Sequence, residues 1–350
     1  MIELSISAKD SALSELQKNS RPWIAGMVLL GGLAALTVLT FVSIATGSVH
    51  IPLETVWQAV THFNPESQLH QVIRELRIPR AMTGILVGAS LAVAGALMQG
   101  MTRNPLADSG LLGLNAGAGF AIALIFAFVP TLHSAGLLFC SFAGAAAAGG
   151  MVYGIGAMAK GGLTPFHLTM AGAAVSALFV ALSTGIAVYF NIGLELSFWY
   201  AGGLGGVKWT QLDMMYPWSI AALIAALLLS RQITLLNLGD EVASGLGLRT
   251  GWVRAAALLI VMVLAGASVA VAGMIAFVGL VVPHVARGLV GVDYRWIIPC
   301  SAVLGSLLVI TADVAGQWIN PAYETPLGAV IALIGVPFFF YYIRRSGRGL

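Results

Sequence analysis

The sequence predicts an all-α polytopic membrane protein of about ten spans, built as two related halves. Three observations carry that prediction: an apolar composition, ten bounded hydrophobic runs and an internal repeat. Of the 350 residues, 59% are hydrophobic and only 9% charged, and the mean hydropathy is +0.92. A soluble domain carries about 25% charged residues, so this chain lacks the charge to cover a water-facing surface. Backbone polar groups within lipid must be satisfied internally, which here means helices. The 42 glycines suit close approach between such helices. The small net charge of +3 gives no reason to expect a nucleic-acid partner; membrane lipid is the expected surround.

Taken in order, runs bounded by proline, glycine or charge fall near 22–46, 81–101, 110–130, 135–158, 166–190, 215–230, 253–274, 278–291, 296–316 and 326–343. The first opens at Pro22 behind Arg21, and the second ends at Arg103–Asn104–Pro105. The last begins after Glu324 and Thr325 and runs out at Arg344 and Arg345. Residues 1–21 are polar and mixed in charge, an expected cytoplasmic N-terminal segment rather than a secretory signal. Residues 22–350 then form one ten-span domain. With a cytoplasmic N-terminus, only Arg74, Arg77, Arg80 and Lys208 of the 17 basic residues reach the far side. The positive-inside rule agrees, and both termini are expected in the cytoplasm. Cys140 and Cys300 lie inside apolar runs and read as packing residues.

The chain repeats itself. Leu86–Gly95, "LVGASLAVAG", returns as Leu264–Gly273, "LAGASVAVAG", and the register holds without a gap from Pro105 to Pro283 and from Gly113 to Gly291. Proline and glycine punctuation kept in register is poorly explained by low complexity. The halves, about 81–190 and 253–343, comprise spans two to five and seven to ten. Five spans separate their starts, so the copies lie in opposite orientation, an inverted repeat of the kind used by transporters.

Leu235–Arg254, "LLNLGDEVASGLGLRTGWVR", interrupts this pattern within a cytoplasmic segment, 231–254. Asp240 and Glu241 suit the first turn of a short helix, and Gly245 and Gly247 suit its end. Such a helix has little intrinsic stability and needs another surface. The plain reading is a solvated joint between spans; the functional one is a grip for a soluble partner. No G-x-x-x-x-G-K-[ST] occurs, so any ATP-driven transport needs a separate motor subunit.

Further motifs stand in order: "LRIPR" (Leu76–Arg80), "RNPLADSGLLGLNAG" (Arg103–Gly117), "FHLTMAG" (Phe166–Gly172), "LGDEVASGLGL" (Leu238–Leu248), "AGMIAFVGLVVPHVARGLVGVDYR" (Ala272–Arg295) and "TPLGAVIALIGVPFF" (Thr325–Phe339). In that order the chain resembles the FecCD-type permease family of ABC importers for iron–siderophore complexes, haem and cobalamin. The resemblance implies the fold of a type II ABC importer permease in the bacterial cytoplasmic membrane. It implies a second permease subunit, two cytoplasmic ABC ATPases and an extracytoplasmic substrate-binding protein as partners. It also implies that Leu238, Gly239, Asp240, Glu241, Ala243, Leu246 and Gly247 belong to the ATPase-coupling region. Arg77 and Arg80 are implied to meet glutamates of the binding protein. Gln317 stands where the family usually has an arginine of the same patch, and Ser109 where it often has proline. The missing charge tilts the expectation toward a heterodimer with a non-identical permease chain.

Before that resemblance, positive charge in Gln71–Arg80 has two readings: lipid headgroup contact, or docking of partner carboxylates through charge-assisted pairs. Segments of the chain preceding both repeat copies have candidate docking roles, which raises the expectation that they descend from one duplicated element. Asn104 and Pro105 read as a capped turn. Pro283, His284 and Arg287 belong to the motif of the eighth run. His284 and Asp313 are polar groups inside spans, with helix bridging the plainer role and a functional one the alternative. A mostly uncharged path suits a bulky chelate better than a bare ion, so no cofactor and no metal site in the protein are expected. No H-E-x-x-H, G-x-S-x-G or C-x-x-C pattern appears, and the chain is not expected to be an enzyme. A secondary transporter with inverted repeats is the rival class.

Overall fold

The computed structural model describes residues 20–47, 49, 51–159, 164–319 and 325–346. Most of the N-terminal segment and Glu324 therefore lie outside the described residues. The described chain is helical throughout its regular structure. In order come α1 (Pro22–Ala45), α2 (Leu53–Thr61), α3 (Gln68–Val72), a π-helical turn (Ile73–Arg77) and α4 (Ile78–Thr102). A 3-10 turn (Ser109–Leu112), α5 (Leu114–Phe128), α6 (Ser134–Met158), α7 (Pro165–Phe190) and α8 (Gly193–Ala201) follow. The second part holds α9 (Trp209–Asn237), α10 (Asp240–Gly245), α11 (Thr250–Ala272), α12 (Val278–Val290), α13 (Tyr294–Ile319) and α14 (Leu327–Ser346).

A helix occupies each of the ten expected runs. Among the described residues, seven helices are long and apolar enough to cross a membrane; Leu114–Phe128, Val278–Val290 and Leu327–Phe340 are shorter apolar helices. The 15 residues of α5 rise only about 22 Å, less than the roughly 30 Å hydrocarbon core. The expected run began at 110, but Ser109–Leu112 winds as a 3-10 turn and Gly113 at φ 69° separates it from α5. The sixth run, expected over 215–230, is extended on both sides because Trp209–Met214 and Arg231–Asn237 continue the helix.

Helix α4 is the centre, with 89% of its most apolar window buried against 17% for α1. It packs against α12 and α13, while α11 packs against α5 and α6; α4 and α11 also touch each other. Exchanging each helix for its repeat counterpart maps one set of contacts onto the other, as a two-fold relation between halves requires. The partner α9 touches both α4 and α11. The α4–α13 contact is close because Gly88 faces Gly305, and a Cβ on either would run into the other's backbone. Small residues at such a crossing let dispersion contacts form between whole helices.

Candidate functional sites at the two ends of α4

With 25 residues, α4 spans about 37 Å, and a polar cluster lies at each end. At its C-terminal end is the segment between α9 and α11. Helix α9 stops at Asn237, Gly239 takes φ 117°, and α10 starts with Asp240 and Glu241 in its first turn. Its end is a Schellman arrangement: the amide of Leu248 donates to the Ala243 carbonyl at 3.0 Å and that of Gly247 to Ser244 at 2.9 Å. Gly247, at φ 82°, is the stop, whereas Gly245 is the last helical residue. Ala243 and Gly239 are buried, Leu246 is half-buried, and Glu241, Val242 and Ser244 are exposed. Leu238, also half-buried, donates its amide to the Leu235 carbonyl. The Asp240 carboxylate turns inward, accepting from one Arg254 nitrogen at 2.7 and 2.9 Å.

At the other end, α3 runs through the π turn into α4. The turn has a local cause: Pro79 has no amide proton, and its ring would clash with the carbonyl four residues back in a regular helix. Of the three arginines there, Arg74 is exposed and lies 4.5 Å over the Phe63 ring. The Trp209 indole donates to its carbonyl at 2.9 Å. Arg77 donates to the carbonyls of Ile44 at 3.3 Å and Val49 at 3.0 Å, at the C-terminal end of α1, where a cation complements the helix dipole. Arg80 forks onto the buried Asp313, with bonds of 3.3, 3.1 and 2.8 Å. Gln317 donates to the same carboxylate at 2.8 Å. The expected docking residues Arg77, Arg80 and Gln317 are thus all engaged inside the chain.

The two segments follow different courses. Residues before the first repeat copy run helically into α4, whereas those before the second copy form a separate six-residue helix, a left-handed glycine and a break before α11. That difference counts against their descent from one duplicated element.

Asn104 and Pro105 form the expected turn: the Asn104 side chain accepts from the Leu106 amide at 2.9 Å and its carbonyl from Ala107 at 3.1 Å. Pro283 lies buried inside α12. Pro105 and His284 line one small cleft with Phe338, and His284 meets that ring edge-on at 5.6 Å. Arg287 donates to the Tyr294 hydroxyl at 2.8 Å and to Gln99 at 3.3 Å. Gln99 in turn donates to the Leu280 carbonyl at 3.1 Å, tying α4 to α12. Sequence reading missed Gln99, Tyr294 and the Asp293–Thr234 pair. The signal was present in Gln99, a lone amide in an apolar run. Asp293 is buried, which pushes its carboxyl upward, but bonds and charge from Arg295 and a bond from Thr234 outweigh burial and hold it below the ordinary 3.8. At Asp108, burial pushes the carboxyl up despite bonds from Ser109. Cys140 and Cys300 are free thiols. Among the described residues, no three His, Cys, Asp or Glu side chains gather where a metal ion could be held.

Residues 35–345 match the FecCD transport family. The chain is 49% identical over 340 residues to the iron(3+)-hydroxamate import system permease protein FhuB of Bacillus subtilis (strain 168), covering 97% of this chain and 88% of that one. It is 40% identical to the iron-uptake system permease protein FeuB of the same organism, over 94% and 98% of the two chains. Its fold matches a solved structure described as an inward-facing metal-chelate type ABC transporter, with TM-score 0.80, 26% identity, and 91% and 99% coverage. With the family match spanning nearly the whole chain and the relatives import-system permeases over nearly their full lengths, the chain belongs to the FecCD transport family.

Proposed function

We propose that this chain is the membrane-spanning permease subunit of an ATP-binding-cassette importer. It carries an iron–siderophore complex, or a related chelate such as haem or cobalamin, across the bacterial cytoplasmic membrane by alternating access. The observation that carries the reading is the family match over residues 35–345, supported by 49% identity to a hydroxamate import permease. Separate ATPase subunits do the hydrolysis and the chain itself is not an enzyme. The ten helices cross the membrane as an inverted repeat, halves 81–190 and 253–343, with both termini cytoplasmic. Of the two ATPases, one grips the α10 region, Leu238–Gly247, of this chain from the cytoplasm, where Glu241 and Val242 offer an exposed face, and the other grips the second permease chain.

The opposite end of α4 receives the substrate-binding protein. Arg74 presents its charge there and Arg77, bonded only to neutral carbonyls, adds to the positive field, while Arg80 shares its charge with Asp313 and can meet a partner carboxylate only by giving up part of that pair. Gln317 brings no charge, which favours a non-identical second permease chain over a second copy. ATP binding shifts the path between outward- and inward-facing states only as far as the motor's affinities for them differ. The test is uptake of a ferric hydroxamate into proteoliposomes holding the full complex. Accumulation that needs ATP and ignores ion gradients is the expected result; accumulation driven by an ion gradient alone would favour the secondary-transporter class.

A further inference from the structure

We propose that Arg254 is a positioning residue of the ATPase contact: it grips Asp240 from the first turns of α11, so that α10 and α11 move as one body. The inference rests on the importer reading above. Helix α10 has six residues, too few to hold its shape without tertiary support. Its connection to α11 in the chain runs through a left-handed glycine, Gly247, a poor rod for passing on a displacement. The Asp240–Arg254 pair bypasses that joint. It closes at 2.7 Å, and the two side chains differ sharply in exposure, 44% for Asp240 and 9% for Arg254.

That asymmetry assigns the two side chains different roles. A buried guanidinium needs a fixed counter-charge, so the cation belongs to the bundle and the carboxylate is what it holds. Helix α11 runs through the core and opens the second half. A Cβ on Gly239, the residue just before α10, would lie 3.4 Å from a terminal nitrogen of Arg103, the residue that ends α4. The start of the short helix is therefore near the end of α4 and is bonded to the first turns of α11, the two helices that carry the repeated sequence. Asp240 serves as its tether, and the exposed Glu241 and Val242 are left to meet the motor.

The experiment uses the complete complex of permease chains, ATPases and binding protein in proteoliposomes, and reads ferric hydroxamate taken up per ATP hydrolysed. Asp240→Asn removes the charge at a part-exposed position and leaves an oxygen facing the guanidinium; Arg254→Met removes the cation. Each is expected to lower uptake per ATP about tenfold. The reversal Asp240→Arg with Arg254→Asp is expected to bring it back to within about threefold of the starting protein, since the coupling is pairwise. An unchanged ratio in Asp240→Asn overturns the tether. So does a reversal that assembles without recovering, because Asp240 would then act by touching the motor itself. A starting complex that purifies without any ATPase defeats the importer reading instead, before any variant is compared.

Discussion

Replacing Asp313 by leucine exposes how the ends of α4 and α13 are held. The carboxylate is 3% exposed and accepts three bonds from Arg80 and one from Gln317. Removing one member of a buried pair costs about 3–5 kcal/mol. The Arg80 side chain keeps 17% exposure and can recruit water along one edge, so the lower end, about 3 kcal/mol, applies. With an unfolding entropy of roughly 2.1 cal/mol/K per residue over 350 residues, that is a fall in Tm of about 4 °C. The double variant Arg80→Met/Asp313→Leu removes both charges and is expected within about 1 kcal/mol of the starting protein. Thermal unfolding of the purified complex, followed by tryptophan fluorescence, reads both. A fall below about 1 °C in the single variant, or an equal fall in both, refutes the pairing argument.

Other tests address separate parts. Gly88→Ala drives a Cβ into the backbone at Gly305 and should cost about 1–3 kcal/mol in the same melt; Gly150→Ala, which meets open space in α6, should leave it level or higher. Arg74→Glu should weaken binding-protein docking in a pull-down at least about tenfold at low salt with no change in Tm, whereas Arg77→Ala should lower Tm because it uncaps α1. Asp293 is held below 3.8 in the fold, so its stabilisation is complete above that value and is lost as pH falls through the depressed one. The Tm gap between the starting protein and Asp293→Asn should therefore persist at neutral pH and close in an acid titration; a gap widening toward acid would reverse the assigned sign.

The positions of the long helices were legible because apolar runs broken by proline, glycine and charge carry the membrane signal directly. The repeat at Leu86–Gly95 and Leu264–Gly273 singled out α4 and α11, which touch each other. The small helices α2 and α8 escaped notice, since nine residues with exposed Leu53, Trp57 and Val60 fit no span. The π turn was invisible too, although Pro79 marks it. What no local pattern contains is pairing at a distance: Arg80 and Asp313 are 233 positions apart, and Asp240 finds Arg254 across a glycine turn. Sequence identified the arginines as candidate docking charges; it did not contain the bonds that Arg77 and Arg80 also make within the chain.

Membership of an ATP-driven importer is tested by intact-complex mass spectrometry of the chain expressed with its genomic neighbours and solubilised gently. Two permease chains with two ATPase subunits are expected, and the permease masses give the partner as copy or sibling. A stable assembly containing no ATPase would contradict it.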